Sequence, residues 1–296
     1  MRFTQEPIPV LDQYFNDYGD TFRMTLGTER IIMTQSPDII QHILQKNHRL
    51  YRKSNTVKKL QKHLGKGLLT SDGPYWLKQR RLMQPGFGRK RMQALFGLMD
   101  NEVQLQLKQF DQYSEERKPF DMNKEMMHIT MMVIMRSLFS QGMKDDEIKL
   151  VDSVISEFQQ LIVTEVRNPL KHFWAKLNGA EKKENQLQEQ LDKLLYRIIV
   201  ERKSTFGDFD DLLQMLLDAR YEDGEGMNDE QIRDESIVLF IAGHETSSNA
   251  LSWCFHLLTN HPEIEDKLLA EIKSTVGDRA IQLEDLHSLT YSKAVL

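Results

Sequence analysis

One long segment without a proline constrains the fold of this chain more than any other feature. The segment begins at Asn228, whose side chain can cap a helix, and Gln231 stands at the reciprocal capping position. It continues to about Asn260 without a strong helix breaker. Its middle part, residues 237–242, is apolar on all sides of a helix. This pattern predicts a helix that runs buried through the core of the protein.

The rest of the sequence predicts a mainly α-helical fold with a small N-terminal β-hairpin. A short helix ends at Gly19, apolar residues alternate over residues 21–26, and residues 30–34 follow a turn at Gly27-Thr28, which indicates a β-hairpin. After residue 50 the apolar residues recur at helical spacing. The predicted helices cover residues 75–83, 89–113, 123–139, 145–166, 180–203, 211–220 and 228–260, and another begins at Pro262.

Composition bounds the class of protein. With 296 residues, of which 40% are hydrophobic and 28% charged, the chain resembles a globular protein with a sizeable core. We expect a single domain over residues 1–296, with the small helix and hairpin in residues 1–50 and the helical part in residues 51–296. The net charge of −5 argues against a dedicated nucleic-acid-binding protein.

Apolar runs and cysteines give the expected location. The longest apolar stretch is far shorter than the roughly 20 residues that a membrane-spanning helix requires, so no membrane span is expected. The first ten residues form neither a signal peptide nor an anchor. The single cysteine, Cys254, excludes an intrachain disulfide and multi-cysteine zinc sites, and it favours a reducing compartment. We therefore expect a soluble, cytoplasmic protein.

A cluster of small, polar and titratable residues interrupts the long helix. From Ala242 to Ser247 the sequence reads Ala-Gly-His-Glu-Thr-Ser. A buried carboxylate is costly unless it is paired or hydrated, and a glycine inside a helix costs about 1 kcal/mol relative to alanine. The Thr246 hydroxyl can donate to the carbonyl oxygen of Ala242 and bend the helix, while Ala242 and Gly243 leave space beside it. The pattern indicates a small cavity with a hydroxyl group and the acid Glu245 on its wall.

Three interpretations of this cluster stay open on the residues alone. It is a core helix with a few satisfied polar side chains, or it lines a small-molecule or oxygen-activating pocket. The third interpretation is a zinc peptidase, because His244 and Glu245 begin a His-Glu-x-x-His pattern. The fifth position of that pattern is Ser248 rather than histidine, so one zinc ligand is missing.

A second segment combines an indole with a guanidinium group. Trp76 and Arg80 are four residues apart and therefore lie on one face of the predicted helix. Their N–H groups form a donor pair suited to a carboxylate or a phosphate. The simpler interpretation is a half-buried tryptophan packed on the stem of an arginine.

Together, the two segments resemble the cytochrome P-450 family. Similarity to the C-helix region of that family is carried by Gly-Leu-Leu-Thr-Ser-Asp-Gly at residues 67–73, by Trp76 with Arg80, and by Gln-Pro-Gly-Phe at residues 84–87. Residues 242–247 match the I-helix motif (Ala/Gly)-Gly-x-(Asp/Glu)-Thr-(Thr/Ser) at every position. The resemblance covers essentially the whole chain and implies a P-450-like fold.

The resemblance implies a haem-dependent monooxygenase that inserts one oxygen atom from O2 into an apolar organic substrate. In such an enzyme, Trp76 and Arg80 would hold a propionate of haem b. Ala242 and Gly243 would leave room for dioxygen on the distal side of the haem.

The catalytic residues that the resemblance implies are Thr246 and Glu245. Thr246 would hydrogen-bond the oxygen ligand or its water, and Glu245 would help to pass protons from solvent, because splitting the O–O bond takes two protons in a pocket that excludes water. Electrons would come from NAD(P)H through a ferredoxin or flavoprotein reductase. A basic cluster could bind such an acidic partner or is simply a solvated face; it consists of Lys78, Arg81, Arg89, Lys90 and Arg91.

The substrate pocket can be placed by position only. The resemblance implies that it is lined by the loop before the C helix, by a helix pair spanning residues 158–174, and by the long helix. The candidate lining residues are Phe158, Leu161, Ile162, Phe173, Val238 and Ala242.

Two motifs of the family are missing. The Glu-x-x-Arg pair of the K helix, expected shortly after Tyr291, and the cysteine-bearing haem-ligand loop do not occur before Leu296. Cys254 lies eight residues beyond Thr246 without a glycine-rich loop, so we interpret it as a small hydrophobic residue and assign no metal ligand in residues 1–296. We expect an N-terminal part of a longer protein whose axial cysteine follows Leu296. The alternative is a non-catalytic helical remnant or interaction protein that lacks the haem ligand.

Overall fold

The computed structural model describes residues 6–26, 29–140, 143–167, 180–205, 207 and 209–296. Helix α1 (Pro7–Tyr18) is followed by an antiparallel hairpin of β1 (Thr21–Leu26) and β2 (Glu29–Thr34). Phe22 of β1 lies opposite Met33 of β2, and its ring packs edge-on against the ring of Phe15 in α1, with centroids 5.1 Å apart. The predicted hairpin is confirmed.

Helices form nearly all of the remaining described chain. The short ones are α2 (Pro37–Gln41), which continues into a π-helical turn (His42–Lys46), α3 (Asn55–Lys59), α4 (Gln61–Leu64) and α5 (Gly73–Met83). The next six are α6 (Arg89–Glu115), α7 (Met122–Phe139), α8 (Asp145–Arg167), α9 (Ala180–Ser204), α10 (Leu212–Asp218) and α11 (Asp229–Leu258). They are followed by α12 (Pro262–Thr275) and α13 (Thr290–Val295), and the mainly α fold matches the sequence prediction.

The long helix α11 begins at the predicted cap. The Asn228 side chain accepts a hydrogen bond from the backbone N–H of Gln231 over 2.9 Å, and the Gln231 side chain accepts one from the backbone N–H of Asn228 over 2.9 Å. Asp229 and Glu230 add negative charge to the first turn, where it interacts favourably with the helix dipole. The start of the helix is therefore fixed by local chemistry.

The packing of α11 against α7 forms the centre of the core. The two helices approach closely at Gly243, where an added Cβ would lie 2.8 Å from Cδ1 of Ile134. Such a distance is shorter than real Cβ contacts, so only glycine allows this approach without a shift of Ile134. The space beside Gly243 that the sequence predicts is thus filled by α7.

The burial of α11 changes along its length. Residues 232–238 and Phe240 are buried, whereas Leu239 and Ile241 are partly exposed and Ala242 is exposed. The prediction that residues 237–242 are buried on all sides is therefore wrong at its C-terminal end. One face of the helix has no covering element there among the described residues.

A buried ion pair fastens α9 to the start of α10. The Arg202 guanidinium contacts both carboxylate oxygens of Asp211, at 2.7 and 2.8 Å. Asp211 also accepts from the Ser140 hydroxyl over 2.6 Å and from the backbone N–H of Gln214 over 2.9 Å. The pair joins the end of α7, the end of α9 and the first turn of α10.

In the part of the chain described here, no helix combines the length and the apolar character that would let it cross a membrane.

Candidate functional site

One face of α11 is open to solvent in the C-terminal half of the helix. Ala242, Thr246 and Ala250 are exposed at intervals of four residues. Trp253 and Leu257 continue the same face and are 64% and 54% exposed. Because residues three or four apart share a helix side, these five form one stripe, which we call the open face. The predicted hydroxyl and acid thus border an open surface rather than an enclosed cavity.

The Thr246 hydroxyl is held by its own helix. It donates to the carbonyl oxygen of Ala242 over 2.5 Å, the bond that the sequence predicts. The proton of the hydroxyl is therefore engaged, while the lone pairs of Oγ1 point away from the helix axis and can accept a further hydrogen bond. A ligand on the open face would meet Thr246 as a polar group surrounded by small or apolar residues.

His244 faces the opposite way, into the core. It is buried, and its Nε2 lies 3.1 Å from the carbonyl oxygen of Met127 in α7. Burial lowers the pKa of His244, so the imidazole is neutral and carries its proton on Nε2 toward that carbonyl. Its Nδ1 has no hydrogen-bond partner among the described residues. This orientation disfavours the zinc peptidase interpretation, because His244 is buried against α7 and the residue that shares its face four positions later is Ser248.

Glu245 lies between the buried and the open sides of α11, whereas Ser248 lies on the buried side. Glu245 is half-buried, so its carboxylate has access to solvent beside Thr246. The Ser248 hydroxyl is buried and lies 2.9 Å from the carbonyl oxygen of Glu245 and 3.1 Å from the sulfur of Met127. Ser248 therefore belongs to the packing against α7. Within the described part of the chain, no three His, Cys, Asp or Glu side chains gather as metal ligands.

Helix α5 presents Trp76 and Arg80 on its outer side. Trp76 is half-buried, and Arg80 is exposed and makes no ion pair with any described residue. The buried side of α5 is anchored by the neighbouring Gln79, which is fully buried and donates to the hydroxyl of Tyr221 over 2.7 Å. Tyr221 also accepts from Gln231 at the start of α11, over 3.1 Å. This tyrosine therefore links α5 with α11.

Trp76 borders a groove of about 560 Å³ between α5 and the segment around α2. Its apolar wall includes Ile43, Leu44 and Trp76, and Arg49 and Arg52 add positive charge. An exposed arginine without an ion-pair partner and an indole N–H beside a basic, apolar groove suit an amphipathic anion. These donors therefore fit a haem propionate.

The basic cluster predicted around α5 and α6 is divided by local contacts. The Lys78 ammonium lies 3.8 Å above the ring of Tyr221. Arg91 donates to the carbonyl oxygen of Asp211 over 3.0 Å and pairs with Asp218 at 3.8 Å. Arg89 lies 3.9 Å from Glu284. Among the described contacts, only Arg81 and Lys90 keep their charge free for a partner.

The substrate-lining candidates are only partly described. Phe173 and the side chains of Phe158, Leu161 and Ile162 lie outside the described residues. Val238 is buried beneath Gly67, where an added Cβ would lie 2.7 Å from Cγ2 of Val238. Cys254 is half-buried, as predicted for a small hydrophobic residue.

Sequence reasoning missed the polar contacts at the start of α11. Asp234 and Glu235 are buried and accept hydrogen bonds from the backbone of Lys66 and Leu68. The signal was the spacing of Gly65 and Gly67 before α5, which marks a close approach of backbone to a neighbouring element.

Comparison with known proteins identifies the family. The family model described as Cytochrome P450 matches residues 2–296. Protein LUTEIN DEFICIENT 5, chloroplastic, of Arabidopsis thaliana is 26% identical over 97% of this chain and 50% of its own length. Cyclooctat-9-en-7-ol 5-monooxygenase and cyclooctatin synthase of Streptomyces melanosporofaciens are 28% and 30% identical, each over 94% of this chain and 60% of the relative. The chain thus spans 50–60% of the length of these relatives. It belongs to the cytochrome P450 family.

Proposed function

We propose that the whole protein is a haem monooxygenase that inserts one oxygen atom from O2 into an apolar substrate. The observation that carries this proposal is the open face of α11. Thr246 stands there with its hydroxyl proton engaged by Ala242 and its lone pairs free, one residue from the half-buried acid Glu245. A hydroxyl group and a hydrated acid side by side on an otherwise apolar surface are suited to proton delivery.

Haem b, when bound, supplies the iron that activates dioxygen. In our proposal, Trp76 and Arg80 hold one of its propionates through the indole N–H and the guanidinium group. Ala242 leaves room above the haem because its side chain ends at Cβ on the open face. Gly243 contributes in a second way, since its missing side chain lets α11 lie against Ile134.

Proton delivery is the role that we propose for Glu245 and Thr246. Glu245 takes protons from solvent, because its carboxylate is only half-buried. Thr246 exchanges the Ala242 carbonyl for a water or ligand on the open face, so its hydroxyl can accept a proton there and donate one in turn. Both groups lie on α11, whose packing against α7 includes the hydrogen bond between His244 and Met127.

Electrons come from NAD(P)H through a ferredoxin or flavoprotein in this proposal. Arg81 and Lys90 are the basic residues near α5 whose charge stays free for an acidic partner. The substrate is an apolar molecule, because the exposed stripe beside Thr246 contains Ala242, Ala250 and Trp253. One of the relatives is named as a monooxygenase of cyclooctat-9-en-7-ol, a largely hydrocarbon alcohol, which favours an apolar substrate. The single cysteine and the absence of a membrane-spanning helix among the described residues favour a cytoplasmic location.

The test is a difference spectrum of the whole protein. The protein is reduced, saturated with carbon monoxide and compared with the reduced protein alone. We expect the long-wavelength Soret band of thiolate-bound haem. No haem uptake at all would refute the proposal and favour the non-catalytic remnant. The same band from residues 1–296 alone would show instead that Cys254 is an iron ligand.

A further inference from the structure

A short loop before α5 lies directly on the first turns of α11. In this loop, residues 65–69, the backbone N–H of Lys66 donates to Asp234 over 2.7 Å, and that of Leu68 donates to Glu235 over 3.0 Å. An added Cβ at Gly65, where φ is +70°, would lie 2.0 Å from Cγ of Asp234. The close approach therefore depends on glycine as well as on the two acids.

The loop is also held from its outer side. The Lys53 ammonium donates to the carbonyl oxygens of Leu68 and Leu69, over 2.6 and 2.8 Å. The Thr70 hydroxyl closes the turn from within by donating to the carbonyl oxygen of Gly65 over 2.5 Å. The loop is thus a defined structure with hydrogen bonds on both sides.

Glu235 is the weak point of this arrangement. Its side chain is almost fully buried, and the hydrogen bond from Leu68 is the one protein donor described for it. Burial, together with the neighbouring Asp234, raises the pKa of Glu235 to about 7 against the lowering effects of the Leu68 N–H and of Lys53. Asp234, unlike Glu235, has an arginine as an ion-pair partner, because the guanidinium of Arg233 lies 2.7 Å from its carboxylate.

Few other charged groups face Glu235. On α11 this is Asp234, whose carboxylate pairs with Arg233. Nε of Arg233 also lies 2.7 Å from Asp192 of α9. The segment before α3 contributes Lys53, and α5 contributes the phenol of Tyr75. Arg233 is engaged by the two aspartates and Lys53 by two backbone carbonyls, so none of the described cations is committed to Glu235 alone.

Glu235 belongs to the same helix side as the open face. Val238, Ala242 and Thr246 follow it at intervals of three or four residues, which places all four on one side of α11. The loop covers this side as far as Val238, and the side is exposed from Ala242 onward. A substrate lying on the open face would therefore meet the loop at its N-terminal edge.

We propose that Glu235 is a proton-operated latch, which holds the 65–69 loop on α11 while its carboxyl group is protonated and releases the loop when it ionises. The loop then forms a wall of the substrate site that loosens as the pH rises. The description of this wall as part of a substrate site rests on the proposed function, but the latch itself does not.

The direction of the pH dependence follows from the pKa of Glu235 in the closed and in the open state of the loop. When the loop lifts, Glu235 reaches water and its pKa returns toward the ordinary value of about 4.3. The closed state has the higher pKa and binds the proton more tightly, so closure is favoured at low pH. As the pH rises above that ordinary value, closure weakens progressively, and the effect levels off well above pH 7.

Hydrogen–deuterium exchange of the whole protein tests the latch. The measurement is the protection of the peptide that contains residues 65–70, corrected for the intrinsic exchange rate at each pH, because protection reports the opening equilibrium. We expect protection to fall by about tenfold between pH 6 and pH 9. Glu235→Gln mimics the protonated acid and is expected to keep high protection over this range. Glu230→Gln, on an exposed acid of the same helix, is the matched control and should behave like the wild type.

A second variant keeps the test decisive if Glu235→Gln does not fold. In Gly67→Ala the new Cβ would overlap Val238, so we expect low protection at every pH and no pH dependence. Wild-type protection that stays constant or rises between pH 6 and pH 9 would overturn the proposal, as would a Glu235→Gln profile that follows the wild type. Exchange requires neither haem nor turnover. A protein without monooxygenase activity can therefore pass this test, and an active enzyme can fail it.

Discussion

The Thr246 hydroxyl donates to the carbonyl oxygen of Ala242 over 2.5 Å, within the turn of α11 that faces solvent. Thr246→Ala removes this hydroxyl but keeps a good helix former, so the fold should survive. A positioned proton donor contributes about 10²–10⁴-fold to a proton-transfer step. We expect continued NAD(P)H consumption with more hydrogen peroxide and less oxygenated product.

The measurement is product formed per NAD(P)H consumed, in the whole enzyme with a compatible redox partner. Glu245→Gln is the companion variant, and it should slow turnover with less loss of coupling than Thr246→Ala. Unchanged coupling in Thr246→Ala would mean that protons reach the site through another group.

Arg80→Ala should weaken haem retention without abolishing it. A hydrogen bond to a charged group is worth about 1.5–3 kcal/mol, which corresponds to roughly tenfold to a hundredfold faster haem loss to an acceptor protein. Trp76→Phe deletes only the N–H and should have a smaller effect. Arg81→Ala, the next residue on the helix, serves as the control. Faster haem loss from Arg81→Ala than from Arg80→Ala would transfer the assignment to Arg81.

Asp211→Ala should destabilise the protein strongly. It leaves the buried Arg202 guanidinium without a counter-charge, and breaking a buried pair in this way costs about 3–5 kcal/mol. Asp211→Asn keeps an acceptor and a helix cap and should cost less. Glu189→Ala breaks the exposed pair of Glu189 with Lys193 and should leave urea unfolding unchanged. Equal unfolding midpoints for Asp211→Ala and the wild type would show that the pair contributes little to the free energy of unfolding.

Glu271 should make the stability of the protein pH-dependent in acid. Partial burial raises the pKa of Glu271, but the N–H groups of Tyr291 and Ser292 and the hydroxyls of Ser292 and Thr290 lower it to about 2. The folded pKa is below the unfolded one, so this contribution is present above about pH 4.3 and is lost as the pH falls toward 2. Glu271→Gln should lower the thermal midpoint at pH 7, and the difference should shrink below pH 4. The exposed Glu222→Gln is the control, and a difference that grows in acid would contradict the assignment.

Two glycines in helices should respond in opposite ways to alanine. Gly97 in α6 has no atom within 4 Å of an added Cβ, so Gly97→Ala should stabilise by about 0.5–1 kcal/mol. Gly243→Ala gains the same helix propensity but presses on Ile134, and overpacking costs about 1–3 kcal/mol. Adding Ile134→Val removes the contacting Cδ1 and should recover stability. Urea unfolding of the four proteins checks this, and a clear gain from Gly243→Ala alone would show that α7 yields at this point.

The helices could be predicted from the sequence because their signals are local. The capping pair of Asn228 and Gln231 and the apolar spacing of each segment need no distant partner. The bond from Thr246 to Ala242 lies within one turn and was equally predictable. The open face was not, because burial depends on which element lies opposite, and the apolar residues 237–242 alone cannot show that.

Contacts between residues far apart in the sequence could not be predicted from it. Tyr221 joins Gln79 and Gln231 across three elements, and no periodicity marks a tyrosine in a turn for that role. His244 was read within a metal-binding pattern, whereas the carbonyl of Met127 that engages it lies 117 residues earlier. Sequence spacing gives the face of a helix but not the group that meets it.

Because Glu235 and Thr246 lie on the same side of α11, the number of residues between them is constrained. Deleting one residue would rotate everything beyond it by about 100°, so the Thr246 hydroxyl would turn away from the side that carries the loop. Inserting four residues would nearly restore the rotation but would move Thr246 about 6 Å farther along the axis. Insertions and deletions should therefore be tolerated in the connections between helices. They should not be tolerated between Glu235 and Thr246, even where the inserted residues are good helix formers.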